Sequence, residues 1–146
     1  MHFIEAKSIL TPRSMNIYRG CMHGCIYCDA RSSCYQFTHA FEDIEVKQNA
    51  PELLEAALRK KRRRCMIGTG TMGDPYIPLE KDLRIMRRGL EIINRYNFGA
   101  TLQTKSDLEQ RIYLFIWDLK NCNWRGTDLS NSKRKFQATG LLKVTW

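Results

Sequence analysis

Three of the six cysteines in this 146-residue chain crowd into one segment, Cys21-Met22-His23-Gly24-Cys25-Ile26-Tyr27-Cys28. Intervals of four and three put three thiols into a single short loop, with an aromatic residue immediately before the last. Such a loop can hold three irons of a 4Fe-4S cluster, whereas an electron-transfer cluster normally takes four cysteine ligands. One iron is then left open. An open iron can bind a further molecule through its own oxygen and nitrogen atoms, as a catalytic zinc keeps one position free. The alternative is zinc itself, with Cys34 or His23 as fourth ligand. It is the lesser reading, because zinc ligands usually come as two separated pairs.

The remaining reactive side chains read more plainly. Cys34 suits a small loop residue and Cys65 a core position, since free cysteine is often buried. Cys122 lies in a stretch without legible pattern. His23 and His39 are by default packing or surface residues, although His23 lies inside the cysteine loop and could tune a bound metal. Tyr35, Phe37 and Phe41 could stack on a base or simply cover the loop. Asp74-Pro75-Tyr76 taken alone is a turn, and Lys105 taken alone is solvent-exposed.

The elements around the loop must position it. Ser14 to Arg19 reads as a short strand delivering the chain to the cysteines, and the loop runs from Gly20 to about Cys34. A helix is expected over about 50 to 64, with Leu53, Leu54, Ala57 and Leu58 on one face, acid in its first turn and base in its last. Cys65 to Gly68 is short and apolar, as a buried parallel strand would be, and a loop rich in Gly and Pro follows. From Glu80 to Asn97 the residues Leu83, Met86, Leu90 and Ile93 mark a second helix face, which Gly99 is expected to end. Ala100 to Thr104 suits a third strand. Strand, helix, strand, helix, strand is the pattern of a parallel α/β sheet with right-handed crossovers.

The cysteine spacing, with Tyr27 in place, resembles the signature of the radical S-adenosylmethionine (SAM) superfamily. The stretch from Asn16 to Arg31 is similar to that of its spore photoproduct lyase-like branch, often described as DNA repair photolyase-like. So are Gly70-Thr-Met-Gly-Asp74-Pro-Tyr76-Ile-Pro-Leu-Glu80 and Thr104-Lys105-Ser106-Asp107. The resemblance covers about residues 8 to 108 and implies the first three strand-helix units of a partial (βα) barrel. It implies a 4Fe-4S cluster on Cys21, Cys25 and Cys28, and SAM chelated to the open iron. It further implies reductive cleavage of SAM to a 5'-deoxyadenosyl radical, a low-potential electron donor such as flavodoxin or ferredoxin, and a nucleic-acid substrate. By the same resemblance Tyr27 lies near the SAM adenine. Gly68, Gly70 and Asp74 form a turn facing the methionyl amino group, and Lys105 and Ser106 suit the carboxylate. No hydrogen-donor cysteine for a photoproduct repair reaction can be assigned.

Composition bounds this reading. With 43% hydrophobic and 27% charged residues the chain belongs to the globular class, and no apolar run approaches the ~20 residues of a membrane helix. The amino terminus shows no secretory pattern, so a cytoplasmic protein is expected, in which clustered thiols bind metal rather than form disulfides. Of the +9 net charge, much lies in Arg59-Lys60-Lys61-Arg62-Arg63-Arg64. That run is better read as a solvated helix end than as a nucleic-acid patch.

Residues 1–108 read as the N-terminal part of the core and 109–146 as a divergent tail, out of frame or without fixed structure. Complete barrels run to ~250 residues, so the expectation is a truncated or frameshifted product whose third strand has an unpaired edge. Two other readings follow: an inactive remnant that only holds the cluster, and a basic zinc-binding module for nucleic acid.

Overall fold

A computed structural model describes residues 1–70, 72–106, 124–127 and 142–145. Two small sheets are joined through the segment that carries the cysteines. In the first, β1 (His2–Ile4) pairs in parallel with β3 (Glu45–Lys47), which pairs antiparallel with β2 (Tyr18–Arg19). In the second, β4 (Met66–Thr69), β5 (Gly99–Gln103), β7 (Leu142–Thr145) and β6 (Trp124–Thr127) lie in that order, all parallel.

The strand expected at Ser14 to Arg19 is divided between the two. Ser14 bridges Gly68 in parallel beside β4, and Met15 N–H donates to the Gly68 carbonyl at 2.8 Å. Four residues later Tyr18–Arg19 has crossed to the other sheet. The second and third strands appear where expected, each one residue displaced at one or both ends.

The edge of the third strand is not unpaired. β7 runs along it with Ala100 opposite Leu142 and Gln103 opposite Thr145, and β6 pairs in turn with β7. Strands in this region had no legible sequence signal. Apart from β6 and β7, the reading of 109–146 lies outside the described residues, as do those of Asp107, Trp117 and Cys122.

α1 (Ala50–Lys60) stops four residues before the expected end, with Lys61 already extended. Pro51 suits the first turn, where its missing N–H would go unbonded, and Glu52 at the start and Arg59 and Lys60 at the end match the helix dipole. Leu54 and Leu58 are buried, while Arg62, Arg63 and Arg64 are exposed. The basic run therefore begins in the last turn of α1 and continues, exposed, beyond it. Because it precedes β4, it sits at the amino-terminal edge of the parallel sheet.

The second expected helix is two. α2 (Glu80–Leu83) breaks at Arg84, whose φ of 53° is left-handed, and α3 (Ile85–Arg95) begins at once. The cause is Glu80. Its buried carboxylate turns back to accept the Arg87 N–H at 3.1 Å, serving the free amides at the start of α3, and it also accepts from the Tyr18 hydroxyl. Burial raises the Glu80 pKa above its ordinary value. At the other end Asn97, with φ of 56°, closes α3 in place of Gly99: Asn97 N–H donates to Asn94 and Phe98 N–H to Ile93.

Met86, Leu90 and Ile93 of α3 are buried as the periodicity predicts. At Gly89, α3 faces Leu54 of α1 and Ile17 and Met15 of the segment leading to the cysteines, each 3.5–3.9 Å from where a Cβ would stand. Met15, Ile44, Leu54, Ile67, Met86 and Leu102 are fully buried in the core that results, each stabilising the fold by about 1.5–3 kcal/mol. Among the described residues no helix is long and apolar enough to cross a membrane.

Candidate cofactor site

The carboxyl ends of β4 and β5 and the loop after β2 open onto one cavity of about 320 Å³. Its walls include Cys21, Cys25 and Cys28 from the first loop, Gly70, Gly73 and Asp74 from the second, and Thr104 and Lys105 from the third. Three segments that are far apart in sequence therefore meet in one place, at the end of the sheet opposite the basic run.

Glycine makes the approach possible. A Cβ on Gly73 would stand 2.4 Å from the Gly20 carbonyl oxygen, and one on Gly70, where φ is +105°, would stand 2.3 Å from the Gln103 oxygen. The second loop thus touches the first and the third backbone to backbone, with no room for a side chain. Gly73→Ala is expected to lower stability by about 1–3 kcal/mol through overpacking, read as a lower midpoint in urea unfolding. An unchanged midpoint would mean that the loops do not meet in this way.

Asp74 ties the second segment to the third by hydrogen bonds. Its Oδ1 accepts from the Tyr76 N–H at 2.8 Å and the Thr104 hydroxyl at 2.5 Å, and its Oδ2 from the Lys105 N–H at 2.6 Å. His23 Nε2, from the cysteine loop, lies 3.4 Å from Oδ2 but is buried without a hydrogen bond. A buried polar atom left in that state on the wall of a cavity is a group that a further ligand can satisfy.

Lys105 reaches back over the cysteine loop. Its Nζ is 3.4 Å from Cys25 Sγ and 4.0 Å from the centre of the Tyr27 ring. The Tyr27 hydroxyl and the Cys25 thiol hold the Lys105 ammonium above its ordinary pKa of 10.5. The tip of the loop is open: Ile26 is fully exposed and Tyr27 is 75% exposed, and nothing stands within 4 Å of where a Gly24 Cβ would be.

The fit of the cavity to a cluster rests on the donors. Donor atoms that already lie within 4.8 Å of one another belong, among the described residues, to His2, His39 and Glu45, and not to the cysteines. The three sulfurs share a cavity, but at least one pair of them stands more than 4.8 Å apart, wider than the separation of about 3.8 Å that Zn–S bonds of ~2.3 Å impose on a tetrahedral ion. A four-iron cluster attaches each thiolate to a different iron, which suits a wider triad. Cys34 is exposed and is not among the cavity-lining residues, so it is not positioned as a fourth ligand.

Of the residues expected around SAM, Tyr27, Gly70, Asp74 and Lys105 line this cavity. Gly68 does not. Its N–H and carbonyl are bonded to Arg13 and Met15 inside the sheet, and a Cβ there would meet only an ordinary contact at 3.7 Å. Ser106 is buried behind the wall, its N–H donating to the Thr104 hydroxyl. Sequence reasoning gave no individual role to Thr104 or Gln103, which also contribute to the cavity, and took in Gly73 only as part of the Gly68 to Asp74 turn. The short second strand ending in glycines was the available signal for Gly73.

The chain is similar to an uncharacterized protein of Methanocaldococcus jannaschii, MJ0683, at 32% identity over 117 residues. The match covers 74% of this chain and 43% of that relative, so the chain spans less than half of the relative's length. No family model matches the chain, and no solved structure matches it.

Proposed function

We propose that this chain is a radical SAM protein of the spore photoproduct lyase-like branch, in which Cys21, Cys25 and Cys28 hold a 4Fe-4S cluster. The observation that carries the reading is the convergence of the cysteine loop, the Gly70–Asp74 turn and Thr104–Lys105 on one cavity. When bound, the reduced cluster supplies the electron that cleaves SAM to a 5'-deoxyadenosyl radical, and the protein's part is positioning and shielding.

The chain's own residues suit that part. Lys105 offers an ammonium that can pair with the SAM carboxylate, and Tyr27 offers an exposed ring on which an adenine can stack. Gly70 leaves the backbone approachable at the turn. Asp74 spends three hydrogen bonds on holding the loops together, so its contribution is to fix the cavity wall. The electron enters from a low-potential donor such as flavodoxin or ferredoxin, and the exposed tip at Ile26 and Tyr27 brings the cluster loop to the surface.

Nucleic acid is the substrate class we favour, on the branch resemblance and the +9 charge. The Arg59–Arg64 run lies at the opposite end of the sheet from the cavity. It can raise the encounter rate with a polyanion but does not reach the reacting end.

The test is anaerobic reconstitution with iron and sulfide, dithionite reduction, and assay of 5'-deoxyadenosine from SAM. Its formation in excess of a no-reductant control is the expected result. A cluster that forms and leaves SAM intact would reduce the proposal to cluster binding alone, and failure to form any iron-sulfur chromophore would end it.

A further inference from the structure

The β1–β3–β2 sheet carries a second set of metal-ligating side chains on a single rung. His2 stands opposite Glu45 across the parallel pair, and Arg19 stands opposite Glu45 across the antiparallel pair. His39, from the loop that precedes β3, brings Nε2 to 2.7 Å from Glu45 Oε1. One donor atom from each of His2, His39 and Glu45 lies within 4.8 Å of the other two.

The other ring nitrogens are already engaged. His39 Nδ1 is 2.9 Å from the Ala40 carbonyl oxygen, and His2 Nδ1 is 3.1 Å from Asp43 Oδ2. An imidazole that donates its Nδ1 proton to a carbonyl or carboxylate presents Nε2 to a metal, and metal-ligating histidines are almost always held in this way; without an ion, His39 Nε2 pairs with Glu45. We infer that His2, His39 and Glu45 bind a single divalent transition-metal ion, with Asp43 and the Ala40 carbonyl as the groups that orient the two imidazoles.

Two nitrogens and a carboxylate oxygen are a donor set that zinc accepts, with a fourth position left for water. Arg19 sets the limit on affinity. Its Nη1 is 3.3 Å from Glu45 Oε1, so the guanidinium neutralises the carboxylate when no ion is bound and opposes a cation when one is. It is kept at the rim by the Tyr35 and Gln36 carbonyls and by stacking 4.6 Å above Phe37. Binding also replaces the proton that Glu45 holds on His39 Nε2.

The position explains what an ion would accomplish. The loop that carries His39 continues to Phe41, whose carbonyl accepts the Cys21 N–H at 3.2 Å and lies against Gly20. An ion joining β1, β3 and this loop would brace the floor beneath the cysteine segment. The inference is independent of whether the cysteines hold a cluster.

The test is titration of the metal-free, thiol-reduced full chain with Co²⁺, followed by visible absorption. One equivalent is expected to bind with ligand-field bands and no sulfur-to-cobalt charge transfer. His2→Gln and His39→Gln should each abolish that signal, Cys25→Ala should retain it, and Asp43→Asn should weaken binding about 10–100-fold. His2 is half-buried at the end of β1, so His2→Gln is expected to keep the fold, which circular dichroism checks. Cobalt bound solely with sulfur charge transfer, lost in Cys25→Ala and indifferent to His2→Gln, would overturn the inference. So would absence of any nitrogen- and oxygen-bound cobalt in a folded wild-type chain.

Discussion

Replacing Cys21, Cys25 or Cys28 singly with alanine is expected to abolish both the visible absorbance of the reconstituted protein and 5'-deoxyadenosine formation. In the proposed cluster each thiolate would hold a different iron, so losing one would leave a second iron without a protein ligand and the cluster held at two corners. Nothing nearby can substitute. Cys34 is exposed outside the cavity, and Cys65 precedes β4, at the far end of the sheet from the other thiols. Cys34→Ala and Cys65→Ala should therefore keep the chromophore and the activity of the parent chain. The comparison reads out the ligand count directly. If Cys34→Ala falls as far as Cys25→Ala, the set is four thiolates, no iron is open, and SAM has nowhere to chelate. Reconstituted iron content for the five variants decides between these patterns without relying on turnover.

That Cys21, Cys25 and Cys28 share one cavity wall was legible because the three lie within eight residues of one loop. The second and third strands were legible because short apolar runs bounded by Gly have few other uses in a chain of this length. What was lost depends on contacts between distant residues. The break at Arg84 follows from Glu80 turning its carboxylate onto the start of α3 and meeting the Tyr18 hydroxyl, and no local pattern announces a partner 62 residues away. The division of the first strand has the same origin: Ser14–Met15 and Tyr18–Arg19 are apolar and polar in ordinary strand fashion, and only the sheets they meet separate them. Asn97 rather than Gly99 closes α3 because Asn tolerates the left-handed conformation, and Gly99 is then free to begin β5.

Gly68 and Ser106 show where a resemblance runs ahead of geometry. Gly68 is bonded within the sheet, and Ser106 is turned behind Thr104. His39 was read as a packing or surface residue for the complementary reason, since its partners Glu45 and His2 come from other strands.

Asp74→Ala should cost about 2–4 kcal/mol of stability and disable the cavity even where the cysteines are intact. The carboxylate is buried and takes hydrogen bonds from Tyr76, Thr104 and Lys105, so its removal strands two backbone N–H groups and a hydroxyl away from water. The Thr104 hydroxyl in turn accepts the Ser106 N–H, and the disturbance passes on to the end of the third segment. Asp74→Asn keeps one oxygen for Tyr76 and Thr104 but turns a donor toward the Lys105 N–H, so a loss of roughly half that size is expected. Urea midpoints for the two variants give the order. Cluster assembly separates the roles, because the thiols lie in their own loop: Asp74→Asn is expected to take up iron normally while SAM cleavage falls. Equal stability of Asp74→Ala and the parent chain would show that the three loops are held by backbone packing at Gly20, Gly70 and Gly73 alone.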